Sequence, residues 1–210
     1  MRRAVGLGWA HRAFWIGLLL AGGVGSAAQE LPYLDWRSVV SPLETQPLVI
    51  RADAKGDGRF WAPRSGGRRH RGIDILAALK SPVRAIRSGR VVRVGTHRGL
   101  GRFVELEHRH HLQTLYAHLD AVLVEAGARV RQGAVIGTVG KTGNARHPWI
   151  TPHLHVEVWR DGEPMDPQAL GLRFVEPANG AIGQPPPPGL DGRAASAFLA
   201  GGSFDAGAEE

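Results

Sequence analysis

Between Val91 and Trp159 the apolar residues come in short stretches, broken by glycines, and no helical period persists over a useful window. Val91-Val92-Arg93-Val94 reads as a strand. From Arg102 to His108 the chain alternates, with Phe103, Glu105 and Glu107 on one side and Val104 and Leu106 on the other. Leu112 to His118 resumes after the turn-like Arg109-His110-His111, which predicts a hairpin. Two further apolar stretches, 121–124 and 134–139, are separated by Gly127 and Gly133, and a last strand spans His153 to Trp159. Many short strands with glycine punctuation predict a mainly β fold, a single sandwich or compact barrel.

The last strand carries an oddity. Side chains two apart on a strand share a face, so His153 and His155 point together while Leu154, Val156 and Val158 point into the core. Two imidazoles facing one way are either hydrogen-bonded on a half-exposed face or paired with a metal that takes a lone pair. A second cluster, His70-Arg-Gly-Ile-Asp74, puts an acid at the mouth of an apolar stretch. Gly72 between the two permits a turn that brings both side chains to one point. A third histidine, His118, ends the hairpin strand. Period 2 places it on one face with Thr114 and Tyr116. Each piece alone has an ordinary structural explanation; the three together point to a metal site.

Composition limits the chemistry. There is no cysteine among the 210 residues, so no thiolate is available as ligand or nucleophile. The formal net charge is +7, with the basic excess concentrated between Arg51 and Arg109. Such a surface suits an anionic polymer. The first 28 residues resemble a secretory signal: Arg2, Arg3 and Arg12 precede or flank an apolar run, Phe14 to Val24, that is short of the ~20 residues of a membrane helix, and Ser26-Ala27-Ala28 offers a cleavage site. The expectation is an exported chain, periplasmic or secreted, with no stable membrane span after cleavage. Export makes a wall polymer the expected anionic partner and argues against nucleic acid, as does the low aromatic content. Residues 29–50 read as an N-terminal arm, 51–175 as the folded domain, and 176–210, with the run Pro185 to Pro188, as a flexible tail. Nothing in the sequence sets an oligomeric state.

H-x-x-x-D, then Y-A-H-L, then P-H-L-H, in this order, resembles the M23 metallopeptidases, the lysostaphin- or LytM-type peptidoglycan endopeptidases. The likeness runs from about Arg51 to Pro167 and includes "GRRHRGIDI", "GLGRFVELEH", "TLYAHLD", "VEAGARVRQGAVIGTVGKTG", "PHLHVEV" and "MDP". The resemblance implies a LytM-like β-rich domain with a zinc groove, one zinc ion held by His70, Asp74 and His155, and two catalytic histidines, His118 and His153, beside it. Tyr116 is a candidate to support the oxyanion. Three protein ligands leave a fourth position open, as in catalytic zinc sites. Zinc then lowers the pKa of a bound water to about 7. No H-E-x-x-H occurs, so a histidine takes the role that glutamate has in that class. His153 is favoured as base and His118 as stabiliser. The function implied is an exported zinc metalloendopeptidase that cuts peptide crosslinks of peptidoglycan. The alternative is a non-catalytic LytM-type activator of a cell-wall amidase, although such relatives generally lack zinc ligands.

The chain departs from the family pattern in places. Thr151 stands where a glycine commonly precedes P-H-L-H, Arg102 replaces an asparagine, and the loop from Asn144 to Thr151 is long and carries Trp149. These positions bear on specificity, with Trp149 either covering substrate or packing its loop. His97 and His108 read as structural or solvent-facing, and His110 and His111 as a turn. A lipoyl-like hairpin module, suggested by "GARVRQGAVIG", leaves the ordered histidines unexplained.

Overall fold

The structure is a computed structural model that describes residue 35, residues 38–54 and residues 56–176. All of the described residues lie within the unit that spans residues 33–210. The expected signal, residues 1–28, and all but the first residue of the expected tail lie outside the described residues.

The described residues form thirteen strands and no α-helix: β1 (Leu48–Val49), β2 (Ala52–Asp53), β3 (Gly56–Asp57), β4 (Gly72–Leu76), β5 (Pro82–Arg84), β6 (Gly89–His97), β7 (Gly101–Glu107), β8 (Leu112–Val122), β9 (Arg129–Val130), β10 (Val135–Val139), β11 (His153–Arg160), β12 (Glu163–Met165) and β13 (Phe174–Val175). The fold is mainly β, as the alternating pattern requires. Nine strands make one antiparallel sheet in the order β12-β11-β8-β7-β6-β9, with β4 added on β11 and β10 bridging β8 to β5. The β7–β8 hairpin turns through His110 and His111, both in the left-handed region, as the turn reading expected.

One face of this sheet is the core. Leu154, Val156 and Val158 of β11 are fully buried there, against Ile73 and Ile75 of β4, Val104 and Leu106 of β7, and Leu112 and Leu119 of β8. Each such side chain contributes about 1.5–3 kcal/mol relative to exposure. The alternation in Arg102 to His108 is realised: Val104 and Leu106 enter the core, and Phe103 packs on the opposite face with Leu115 and Ala117.

Two sequence expectations need correction. The core does not begin at residue 51. Leu43, Leu48 and Ile50 are buried in it, β1 pairs with β13, and Val40 N–H donates to Ile86 O at 3.0 Å. Residues 38–50 are therefore a built-in part of the fold. Gly72 is not in a turn. It sits in β4, where a Cβ would lie 2.4 Å from Val156 O and 2.9 Å from His155 Cε1. The glycine is needed for space between two strands, not for a reversal.

Candidate metal centre

The groove lies on the face of the sheet opposite the core. Three strands supply most of its chemistry. β4 pairs with β11 so that Asp74 stands directly across from His155. On the other side β11 pairs with β8, and His155 is opposite Ala117. His70 precedes β4 and is pinned through its backbone, its N–H donating to Ala62 O at 2.9 Å and its carbonyl accepting from Trp61 N–H at 2.7 Å.

His70, Asp74 and His155 come together from distant parts of the sequence, all buried. Asp74 Oδ1 lies 3.1 Å from His70 Nε2 and 2.8 Å from His155 Nδ1, and the two nitrogens are 3.1 Å apart. The remaining hydrogen bonds fix the tautomers. His70 Nδ1 is 2.8 Å from Arg59 O, which only accepts, so Nδ1 carries the proton and Nε2 the lone pair. His155 Nε2 donates to Glu157 Oε1 at 3.1 Å, which leaves its Nδ1 with the lone pair. Glu157 is held in turn by Trp159 Nε1–H at 2.8 Å. Three acceptor atoms thus face one point about 3 Å apart, an arrangement that demands a cation. Without a metal a proton serves: burial alone would lower His155, but hydrogen bonds to Asp74 and Glu157 outweigh it and raise its pKa to about 9. Two imidazole nitrogens and one carboxylate oxygen at this spacing are the ligand set of a tetrahedral zinc with an open position. The carboxylate on the outer nitrogen of a ligand histidine is the usual support. The residues present fit the ion.

His118 and His153 flank this point. His153 Nε2 is 3.8 Å from Asp74 Oδ1, and the His118 and His153 rings are 4.9 Å apart, edge to face. Each donates Nδ1–H to a backbone carbonyl, His153 to Thr151 O at 2.7 Å and His118 to Thr142 O at 2.9 Å, leaving Nε2 as acceptor. Burial lowers the pKa of His153 to about 4, despite the attraction of Asp74. Burial, with repulsion from His153 and His155, lowers His118 to about 3. Both are neutral bases at neutral pH.

The structure separates His118 from Tyr116. Between Arg102 and Val104 the β7–β8 register shifts: Arg102 faces Leu119 while Val104 faces Tyr116. Two residues of β8, Ala117 and His118, therefore stand opposite one of β7, a bulge, and His118 has φ 62°. Thr114 and Tyr116 stay on the core side and His118 turns to the groove. Tyr116 is fully buried; its hydroxyl accepts from Ile86 N–H at 2.9 Å and from Thr114 Oγ1 at 3.2 Å. It does not reach the groove, and its expected oxyanion role is withdrawn.

Sequence reasoning missed four contributors. Glu157 continues the period-2 series of His153 and His155, a pattern that could have revealed it. Arg51, Asp53 and Arg64 carried no such pattern. Arg51 lies against Asp74 Oδ2 (Nη2 at 3.0 Å, Nε at 3.3 Å), and Arg64 Nη2 is 3.6 Å from the same oxygen. The groove, about 720 Å³, has a basic wall of Arg64, Arg68, Arg69 and Arg71, with Trp61 at its edge and His97, Leu100, Asn144 and Ile150 among the remaining lining residues. Its acidic residues, Asp74 and Glu157, are both buried and paired. His97 is exposed and lines the groove; His108 is buried away from it, bonded to Ser88 O and Thr114 Oγ1. Trp149 is 58% exposed and stacks on His147 at 5.1 Å.

Residues 68–167 match the model of peptidase family M23. Over 109 residues the chain is 41% identical to the DD-carboxypeptidase/endopeptidase Mpg of Neisseria meningitidis serogroup B, covering 52% of this chain and 24% of that protein. It is 34% identical over 111 residues to the peptidoglycan DD-endopeptidase ShyC of Vibrio cholerae serotype O1, covering 53% and 25%. The chain thus spans about a quarter of the length of these curated relatives. A crystal structure of a Pseudomonas aeruginosa protein assigned to peptidase M23 is similar with a TM-score of 0.51 at 25% identity, over 69% of this chain and 55% of that one. The sequence match and the shared β fold agree that the chain carries, over residues 68–167, a domain of peptidase family M23.

Proposed function

We propose that the chain is an exported zinc metalloendopeptidase that hydrolyses peptide crosslinks of peptidoglycan. The observation that carries this is the convergence of three lone pairs, from His70, Asp74 and His155, beside two neutral histidines that each present a free Nε2. A zinc ion held by His70 Nε2, Asp74 Oδ1 and His155 Nδ1 supplies Lewis acidity toward water or a peptide carbonyl. The chain's own residues handle the protons. His153 Nε2 accepts a proton from the attacking water, and the imidazolium formed returns it to the departing amine as the C–N bond breaks. Its Nδ1–H stays on Thr151 O throughout, so the ring does not need to rotate. His118 supports the oxyanion after its Nε2 takes a proton from solvent, and it returns that proton to solvent when the product leaves. His153 is thus the general base and acid, and His118 the stabiliser.

The basic wall suits an anionic peptide polymer. The Neisseria and Vibrio relatives, a DD-carboxypeptidase/endopeptidase and a peptidoglycan DD-endopeptidase, support a DD-endopeptidase acting on direct crosslinks. The test incubates the purified chain with sacculi of directly crosslinked and glycine-bridged types, with and without a chelator, and identifies the released fragments by mass. Release from directly crosslinked sacculi, abolished by chelator and restored by zinc, is expected. No release from either, together with stimulation of a wall amidase, overturns the reading in favour of an activator.

A further inference from the structure

We infer that Arg51 and Asp53, which precede the segment matched to the family, are positioning residues for the metal carboxylate and for His153. This rests on the function proposed above. Arg51 is 5% exposed. Its Nη2 and Nε reach Asp74 Oδ2 at 3.0 and 3.3 Å, and its Nη1 reaches Asp53 Oδ2 at 2.7 Å. The same Asp53 oxygen accepts Thr151 N–H at 3.3 Å, and Thr151 O accepts His153 Nδ1–H at 2.7 Å. A single hydrogen-bonded path therefore runs from the metal carboxylate through Arg51, Asp53 and Thr151 to His153. The backbone repeats the attachment: Arg51 N–H donates to Asp74 O at 2.8 Å, Gly58 N–H to Arg51 O at 2.7 Å, and Asp74 N–H to Gly58 O at 2.9 Å.

The chemistry follows from the fork. A carboxylate free to rotate can offer either oxygen, or both, to an ion. With Oδ2 held by a planar guanidinium, only Oδ1 faces His70 and His155. Arg51 has two opposed effects on a cation. Its charge repels the ion, so removing the charge alone would tighten binding. Its fork aims the ligand, so removing the fork loosens binding. The geometry points to aiming as the larger effect. Asp53 acts at the other end, by holding the N–H of Thr151, the residue whose carbonyl sets the His153 ring. Thr151 is also the position where the family pattern has glycine.

The test uses the full chain. Zinc affinity is measured by competition with a chromogenic chelator, and kcat and KM on a soluble crosslinked peptide. Arg51→Met is expected to weaken zinc binding by about 10–100-fold, and the loss should vanish in an Asp74→Asn background, where there is no carboxylate to aim. Arg51→Lys, which keeps charge and length and is the variant to use should methionine prevent folding, is expected to stay weaker than wild type. Asp53→Ala is expected to lower kcat by about 10–100-fold with KM and zinc affinity near wild type, and to add nothing in a His153→Ala background. Wild-type affinity in Arg51→Lys, tighter binding in Arg51→Met, or an undiminished Arg51→Met loss in the Asp74→Asn background each overturns the inference. If the wild-type chain itself binds no zinc, it is the proposed function that fails.

Discussion

Each site histidine has one ring nitrogen committed to a partner that only accepts: Arg59 O, Glu157, Thr151 O or Thr142 O. That commitment sorts the residues by role. His155→Ala removes a converging lone pair and is expected to lose zinc, read by the metal content of the dialysed protein. His118→Ala and His153→Ala leave all three lone pairs in place; zinc should stay while turnover falls by about 10²-fold or more. Loss of zinc from either alanine variant rejects the division. Gly72→Ala forces a methyl into Val156 O and the His155 ring; about 1–3 kcal/mol of stability should go, read by urea unfolding, and zinc affinity with it. At this scale much was legible. The order and spacing of His70, Asp74, His118, His153 and His155 reveal the cluster because each residue type is costly to bury without a purpose. Arg51 was not legible. An arginine before a strand has no periodic partner in sequence, and its role exists only once β4 folds back beside it.

At the scale of elements, the bulge in β8 decides which side chains serve the groove. Strict alternation puts Tyr116 and His118 together; one extra residue sends the first to the core and the second to the groove. An L-residue in the left-handed region costs roughly 1–2 kcal/mol, and His118 is held there while its N–H donates to Leu100 O at 2.8 Å. Alternation is visible in sequence, whereas an inserted residue is not, because a bulge is set by the partner strand. The packing of residues 38–50 is hard to read in sequence for a related reason. Their apolar residues are too few and too Pro-broken to show a period, yet Leu43 and Leu48 fill the core. Leu48→Ala is expected to lose about 2–5 kcal/mol, measured by chemical denaturation; an unchanged midpoint would mean that this segment does not pack as described.

At the scale of the whole molecule, the net charge of +7 becomes specific, since four arginines gather on one groove wall. Stability and pH are linked through a histidine outside the groove. Burial, the largest influence, and repulsion from Arg87 lower the pKa of His108 below its usual 6.5, despite the Ser88 O hydrogen bond. The unfolded chain takes up a proton near 6.5 and the folded chain only at lower pH, so this residue's contribution is intact above pH 6.5 and declines as pH falls below it. Urea titrations at pH 7.5 and 5.5 should show a larger loss for wild type than for His108→Gln; parallel losses would remove His108 from the account. The mainly β class was legible because glycine-broken alternation leaves few other ways to bury the apolar face. The sheet's branching was not, because pairing β11 with both β4 and β8 is a long-range choice.

That double pairing has a last consequence. His155 lies inside the sheet, with β4 on one side and β8 on the other; β9 and β12 carry none of the five groups, and Asp74 sits on β4, whose outer side is bonded to Arg51 and Gly58. Fraying at β9 or β12 leaves such a centre untouched, and a slip of β11 by a single step would turn both of its histidines inward. The machinery is complete or lost as a unit, which makes it a reporter of whether the whole domain is folded.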